Sequence, residues 1–409
     1  MKFPKTTLLA ICCFSLAGSV SAQDRALHLS IGDPARKDRD AQVVLDAITD
    51  TERGDLLTPA DLAARFAGVK LLLVGEEHTN SEFHRVQLQT IQAVVSAGRP
   101  VMIGLEMYPY TEQHFLDQWR EGLLTEDGFL RLSRWYENWG YHWHYYRDIF
   151  LFARDSGIPL VAINTPREVV AAVRTKGFAN LTPEEAKHIP TEVDVDSADH
   201  MAFFKATLSG EGGEGGMGGM MHGGSEEMWK SMLAAQATWD ATMGWNAVKA
   251  LEKASDNRTL MVVLVGSGHV AYGVGIERQV KRWYDGRVAS LIPVPADSGP
   301  VSVRASYANF LWGVASEQST RYPTLGMSTG AVPGSSARQV IQMDPDGFAR
   351  QAGFQLKDVI VSMDGQPVPD RETLNRLTAA KRWGDGVTFV VRRGGQELTI
   401  KSAFRRSSK

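Results

Sequence analysis

Short, nearly unbroken apolar runs recur along the chain at Val69–Val74, Val101–Glu106, Leu160–Asn164, Leu260–Val265 and Ala289–Val294. Apolar runs of this length without alternation predict strands buried on both faces of a sheet. Between them lie amphipathic stretches such as Ser81–Ala97, which Ser81 could cap, and Tyr146–Ser156; these read as helices. Strand and helix in alternation predict an α/β domain, a mainly parallel sheet with helices on both faces. Two of the runs end alike. One reads Leu73-Val74-Gly75-Glu76-Glu77-His78 and the other Leu264-Val265-Gly266-Ser267-Gly268-His269. In a parallel sheet such ends converge on one rim, where ligands bind.

Beyond residue 321 the pattern changes to a smaller, β-rich module with strands at Ala337–Met343, Val387–Arg392 and Glu397–Ser402 and a helix near Arg371–Ala380. The chain therefore divides into a leader (1–22), a polar lead-in (23–56), the α/β domain (57–296), a passage (297–321) and a C-terminal domain (322–405). One segment of the α/β part, 209–224, is mostly glycine with Met217, Met220, Met221 and His222 embedded, and is expected to be a mobile loop. Its thioether and imidazole groups suit Cu(I) or haem contact as well as a plain lid. A helix resumes after Ser225, a suitable N-cap.

The leader has a basic start (Lys2, Lys5), an apolar run (Leu8 to Leu16) and a small-residue cleavage site at Val20-Ser21-Ala22. That order matches a secretory signal and predicts a periplasmic or otherwise exported protein. Cys12 and Cys13 lie inside the apolar run behind bulky Ile11, which argues against a lipoprotein anchor. Both cysteines leave with the leader, so disulfides and thiolate chemistry are not expected. Loss of Lys2 and Lys5 takes the formal charge from −3 to −5 (−3 − 2), which gives no footprint for nucleic acid.

The C-terminal module resembles a bacterial PDZ domain through Leu325-Gly326-Met327, Phe348-Ala349-Arg350-Gln351-Ala352-Gly353 and Asp358-Val359-Ile360 continuing to Asp364-Gly365-Gln366-Pro367-Val368. The resemblance implies capture of a peptide or protein C-terminus as an added strand, its carboxylate on the amides around Leu325, Gly326 and Met327. Lys357 stands where the family usually has glycine, and Gly347-Phe348-Ala349 replaces its usual Ser-Pro-Ala.

The strand ends carry the candidate chemistry. Glu76, Glu77, His78, Glu106 and His269 could ligate a divalent metal ion, or Glu77, His78, Glu106 and His269 could act as acid and base. His84 lies too far round its helix from His78 to join them. The stretch Trp135–Tyr146 holds Trp135, Tyr136, Trp139, Tyr141, Trp143, Tyr145 and Tyr146 with His142 and His144. It suits either a wall for a flat apolar ligand or a packing cluster over the sheet.

The order Gly75-Glu76-Glu77-His78, Gly104-Leu105-Glu106-Met107, Trp139-Gly140, Tyr146-Arg147-Asp148, Gly157-Ile158-Pro159, Ala235-Gln236-Ala237-Thr238-Trp239-Asp240 and Gly266-Ser267-Gly268-His269 resembles the ChaN-like haem-binding uptake family. That family is distantly similar to the erythromycin esterases and Tiki-type metalloproteases. The resemblance implies an exported haem-binding protein of the cell envelope linked to haem or iron uptake, often paired as a homodimer. His78, Tyr108, His269 and Tyr272 are the candidate haem contacts. Two alternatives remain open: a metal-dependent hydrolase using the strand-end Glu and His residues, and a PDZ scaffold with a vestigial rim. Against an enzyme, the chain has no HExxH and no cysteine nucleophile.

Overall fold

The computed structural model describes residues 25–208, 225–297, 299–317 and 319–406; the leader and the glycine-rich segment at 209–224 lie outside them. The first ten strands are β1 (Asp40–Val43), β2 (Ile48–Asp50), β3 (Leu56–Leu57), β4 (Val69–Glu76), β5 (Val101–Pro109), β6 (Leu160–Asn164), β7 (Leu260–Gly266), β8 (Arg287–Pro295), β9 (Val301–Arg304) and β10 (Phe310–Val314). Eight of them form one sheet in the order β3-β2-β10-β8-β4-β7-β5-β6, while β1 pairs with β9. The strands from β10 to β6 run parallel; β2 and β3 are antiparallel additions at one edge.

The unbroken apolar runs follow from this layering. Successive side chains of a strand point to opposite faces. Leu72 and Val74 of β4 enter one core with Val86, Ile91, Trp135 and Phe150, whereas Leu71 and Leu73 enter another with Met243, Ala247 and Ile276. Each such side chain contributes about 1.5–3 kcal/mol when fully buried. The second core is closed by the long helix Glu226–Glu252, which Ser225 caps by accepting from the Met228 amide. Gly244 lets that helix press on the short helix Ile276–Val280, since a Cβ there would lie 2.3 Å from Val280 Cγ1.

Several elements differ from the pattern-based expectation. Phe310–Val314, inside the expected interdomain passage, is a strand of the main sheet, and β2 and β3 come from the polar lead-in. At three and two residues, β2 and β3 are too short for periodicity to announce them. Asn80, not Ser81, is the N-cap of the helix Ser81–Ser96, its side chain accepting from the Glu82 amide. At the far edge β6 is finished by a side chain. Gln113 accepts from the Ala162 amide (2.8 Å) and donates to the Leu160 carbonyl (2.8 Å).

The C-terminal domain is an antiparallel sheet of β11 (Met327–Ala331), β12 (Arg338–Met343), β13 (Val359–Met363), β15 (Gly386–Arg393) and β16 (Gln396–Ala403), with β14 (Gln366–Pro367) attached to β13. Its core gathers Val340, Ile360, Met363, Leu374, Phe389 and Phe404. Gly326 adopts φ +56° and touches the backbone of Gly347, where a Cβ would lie 2.7 Å from Gly347 Cα, so this turn requires glycine. Lys357 takes φ +73°, the left-handed region that glycine would occupy without strain.

Candidate functional site

Three adjacent strands, β4, β7 and β5, end at the same rim, and Glu76 stands level with Gly266 across the β4–β7 pair. Gly266 is the pivot. A Cβ on it would lie 3.2 Å from His78 Cε1 and 3.7 Å from His269 Cδ2, so the missing side chain makes room for both imidazoles. Gly75 works similarly one strand away, where a Cβ would meet Ser267 Oγ at 2.8 Å.

On the β4 side, the Glu76 side chain is fully buried and its hydrogen bonds are filled. Oε1 accepts from the Tyr146 hydroxyl (2.6 Å) and faces His78 Nδ1 (2.7 Å), and Oε2 accepts from Gln87 (2.7 Å). Burial alone would raise its pKa, but the neighbouring His84 and His78 outweigh that and hold the carboxyl at about 2. His84 is a supporting residue rather than a ligand, with Nδ1 3.0 Å from Gln87 Oε1 and Nε2 3.2 Å from the His78 carbonyl. Burial opposes the charge on His78, while Glu76 and Glu106 raise its pKa above the ordinary value. With Nδ1 held by Glu76, Nε2 is the nitrogen His78 can offer to a ligand. Its side chain is 27 % exposed, and the rings of Trp139 and Tyr141 lie 4.8 and 4.7 Å from it between centroids.

On the β7 side, both nitrogens of His269 are engaged. Nδ1 lies 2.6 Å from Asp240, with the Gln236 amide at 2.9 Å, and Nε2 lies 3.4 Å from Glu106. Burial works against the imidazolium, yet Asp240 and Glu106 raise its pKa to about 10. Glu106 in turn accepts from the Gly266 amide (2.8 Å), and His269 is the main charge that keeps it ionised against burial.

Of the sequence-level candidates, Glu76, His78, Glu106 and His269 meet at the rim. Glu77 accepts from the Asn80 side chain (3.2 Å) at the helix start. Tyr108 and Tyr272 are not brought there. The Tyr108 hydroxyl bonds Ser133 (2.7 Å) inside the aromatic core, and Tyr272 donates to the Ala26 carbonyl (2.7 Å) and accepts from the Leu29 amide (3.0 Å). Burial raises the pKa of both phenols. For a metal, the donors do not converge: the carboxylates already answer His, Tyr, Gln and backbone donors. No group of three or more His, Cys, Asp or Glu among the described residues could hold a metal ion.

Pattern reading missed Tyr146, Gln87, Gln236 and Asp240 as site partners. Gln236 and Asp240 had a usable signal: four residues apart, they share one face of a helix otherwise lined by Ala235, Ala237, Ala241 and Gly244. The aromatic stretch divides its work. Trp135 and Trp143 are buried packing, Tyr146 is buried with its hydroxyl on Glu76, and Trp139 and Tyr141 reach His78. A cleft of about 450 Å³ opens beside His78 and Tyr141. A roomier one, about 760 Å³, lies at the opposite ends of the strands near Pro100, Pro159 and Thr259, away from the paired groups.

The family described as haem-binding uptake, Tiki superfamily, ChaN, matches residues 62–280, more than half of the chain, and the PDZ domain family matches 323–402. Among solved structures, that of cofacial haem binding to ChaN of Campylobacter jejuni is similar at 14 % identity and a TM-score of 0.50, covering 65 % of this chain and 95 % of that one. The HtrA3 PDZ domain bound to a phage-derived ligand is 24 % identical, with a TM-score of 0.18, over 20 % of this chain and 82 % of its own. The protein RETICULATA-RELATED 5, chloroplastic, of Arabidopsis thaliana is 26 % identical over 195 residues, 46 % of this chain. This chain spans only 25 % of that curated relative.

Proposed function

Because the chain belongs to the ChaN haem-binding uptake family of the Tiki superfamily, with a PDZ domain behind it, we propose that it is an exported protein of the cell envelope that binds haem for uptake or handling. The observation that carries the reading is the state of His78. Its Nδ1 is tied to Glu76, Trp139 packs against its ring, and the ring opens on a cleft lined by Tyr141, His142 and Tyr145. Imidazole is an established axial donor, and aromatic rings suit the faces of a flat macrocycle. His78 would hold the iron through Nε2, and Tyr141 would pack on the ring. Haem supplies the iron and the apolar plane; the chain supplies orientation and keeps His78 in place through Glu76. The volume beside His78 falls in the range of cofactor pockets, about 300–1,000 Å³.

The residues of the leader, Lys2 through Ala22, support export to the periplasm. The hydrolase alternative has less behind it, since His269 is held at both nitrogens and Glu76 at both oxygens. Haemin titration of the purified protein, followed at the Soret band, tests the proposal. We expect a saturable shift whose midpoint moves by at least ~tenfold, about 1.4 kcal/mol, in His78→Ala. Absence of a saturable shift overturns it.

A further inference from the structure

One stretch of chain, 136–146, has the rim on one side and the PDZ domain on the other. Towards the rim, Trp139 and Tyr141 lie against His78, and Tyr146 bonds Glu76. Towards the PDZ domain, the helix Arg371–Ala379 grips the same stretch by its backbone. Arg371 donates to the carbonyls of Glu137 and Trp139, and Asn375 donates to that of Tyr136 (2.8 Å). Gly140 is the pinch point: it takes φ +93°, and a Cβ would lie 2.8 Å from Asn375 Nδ2 and 2.9 Å from Arg371 Nη2. Two residues on, the His142 ring stacks on Tyr322 at 3.5 Å and 2°, with Nε2 3.0 Å from the Ala379 carbonyl.

The cleft beside His78 is bounded by both domains. Its walls are His78, Tyr141 and His142 from one and Leu325, Met327 and Leu374 from the other. The PDZ side of that wall is the turn and edge strand that take a peptide C-terminus as an added strand in such domains. Here β11 pairs only with β12 among the described residues, so its outer edge faces the groove. The Leu325 and Gly326 amides donate to no backbone carbonyl among them. A peptide strand lying between β11 and the helix Arg371–Ala379 therefore ends in the volume that His78 opens into.

We propose that a peptide with a free C-terminal carboxylate in the PDZ groove and haem at His78 compete for this single cleft. Occupancy of the PDZ domain then releases haem, and haem excludes the peptide. The coupling rests on haem binding at His78 as argued above, and linkage requires it to be reciprocal. The apolar lining from Leu325, Met327 and Leu374 selects a peptide with an apolar last residue.

The full chain is titrated with haemin in the presence of a saturating pool of fluorescein-labelled hexapeptides ending in valine, with the same pool amide-capped as control. The expected result is a haemin Kd raised at least ~tenfold by the free-carboxylate pool and unchanged by the capped pool. Haemin must also lower the fluorescence anisotropy of the bound peptide. A haemin Kd that ignores a bound peptide, or no peptide binding at all, overturns the competition while leaving haem binding intact. Failure of haemin to shift the Soret band in peptide-free protein overturns both.

Discussion

The ends of β4 and β7 are written almost alike, an apolar run, a glycine and then a histidine, yet the two histidines have opposite situations. His78 is bonded at one nitrogen and opens its other edge to a cleft. His269 is clamped between Asp240 and Glu106 and is nearly closed off. What separates them is the surrounding residues: Glu76, with Tyr146 and Gln87 behind it, fixes His78 from one side only, whereas Asp240 reaches His269 from a long helix on the other face of the sheet. One histidine leaves a ring edge open to a cleft, and the other is bonded between a neighbouring strand end and a helix.

That contrast can be broken most forcefully at Asp240. Replacing it with alanine leaves the His269 imidazolium in a buried site with one partner fewer, and should cost about 3–5 kcal/mol in a urea unfolding titration. His78→Ala should cost less, about 1.5–3 kcal/mol for a lost hydrogen bond to a charged group, while weakening haemin binding at least ~tenfold. If the two variants lose the same stability and the same haemin affinity, the division of labour is wrong.

The two ends should also fail at opposite extremes of pH. The Glu76 carboxyl is depressed to about 2 in the folded protein, against about 4.3 in an unfolded chain. Its contribution is present above the unfolded value and drains away as pH falls towards 2. His269 is raised to about 10, against about 6.5 unfolded. Its contribution is complete below the unfolded value and is lost as pH rises through 10. Stability measured against pH should therefore lose its acid limb in Glu76→Gln and flatten between about 6.5 and 10 in His269→Gln. The smallest effect lies away from both ends. Lys357→Gly relieves the positive φ at a cost in chain entropy, for a net gain of about 0.5–1 kcal/mol and no change in haemin binding.

Much of the α/β layout was legible because strands buried on both faces leave a continuous apolar trace, as Leu71 to Val74 do. The strands Ile48–Asp50 and Leu56–Leu57 at one edge were not, because three and two residues are too few to show a period, and Phe310–Val314, an inner strand between β2 and β8, lies in a segment read as a passage between domains. At the site, Glu76, His78, Glu106 and His269 could be read from their places at strand ends. Asp240 and Tyr146 could not be paired with them, since each comes from an element far along the chain and only the closed fold brings it near. Tyr108 shows the converse. It follows the expected strand end in sequence and strict alternation would keep it on the face of Glu106, but β5 is irregular between Leu105 and Pro109, and Tyr108 packs in the aromatic core with Leu105 and Met107.

The Gln113 side chain at β6 has a further consequence. Its amide presents an N–H and a carbonyl side by side, as a neighbouring peptide group would, and meets both the Leu160 carbonyl and the Ala162 amide, with its nitrogen also donating to Asp117. An open sheet border is a template on which another chain can grow. Here the border is answered from within the molecule, by a single residue standing in for a ninth strand. Another chain approaching this border thus meets backbone groups already satisfied at the centre of the strand.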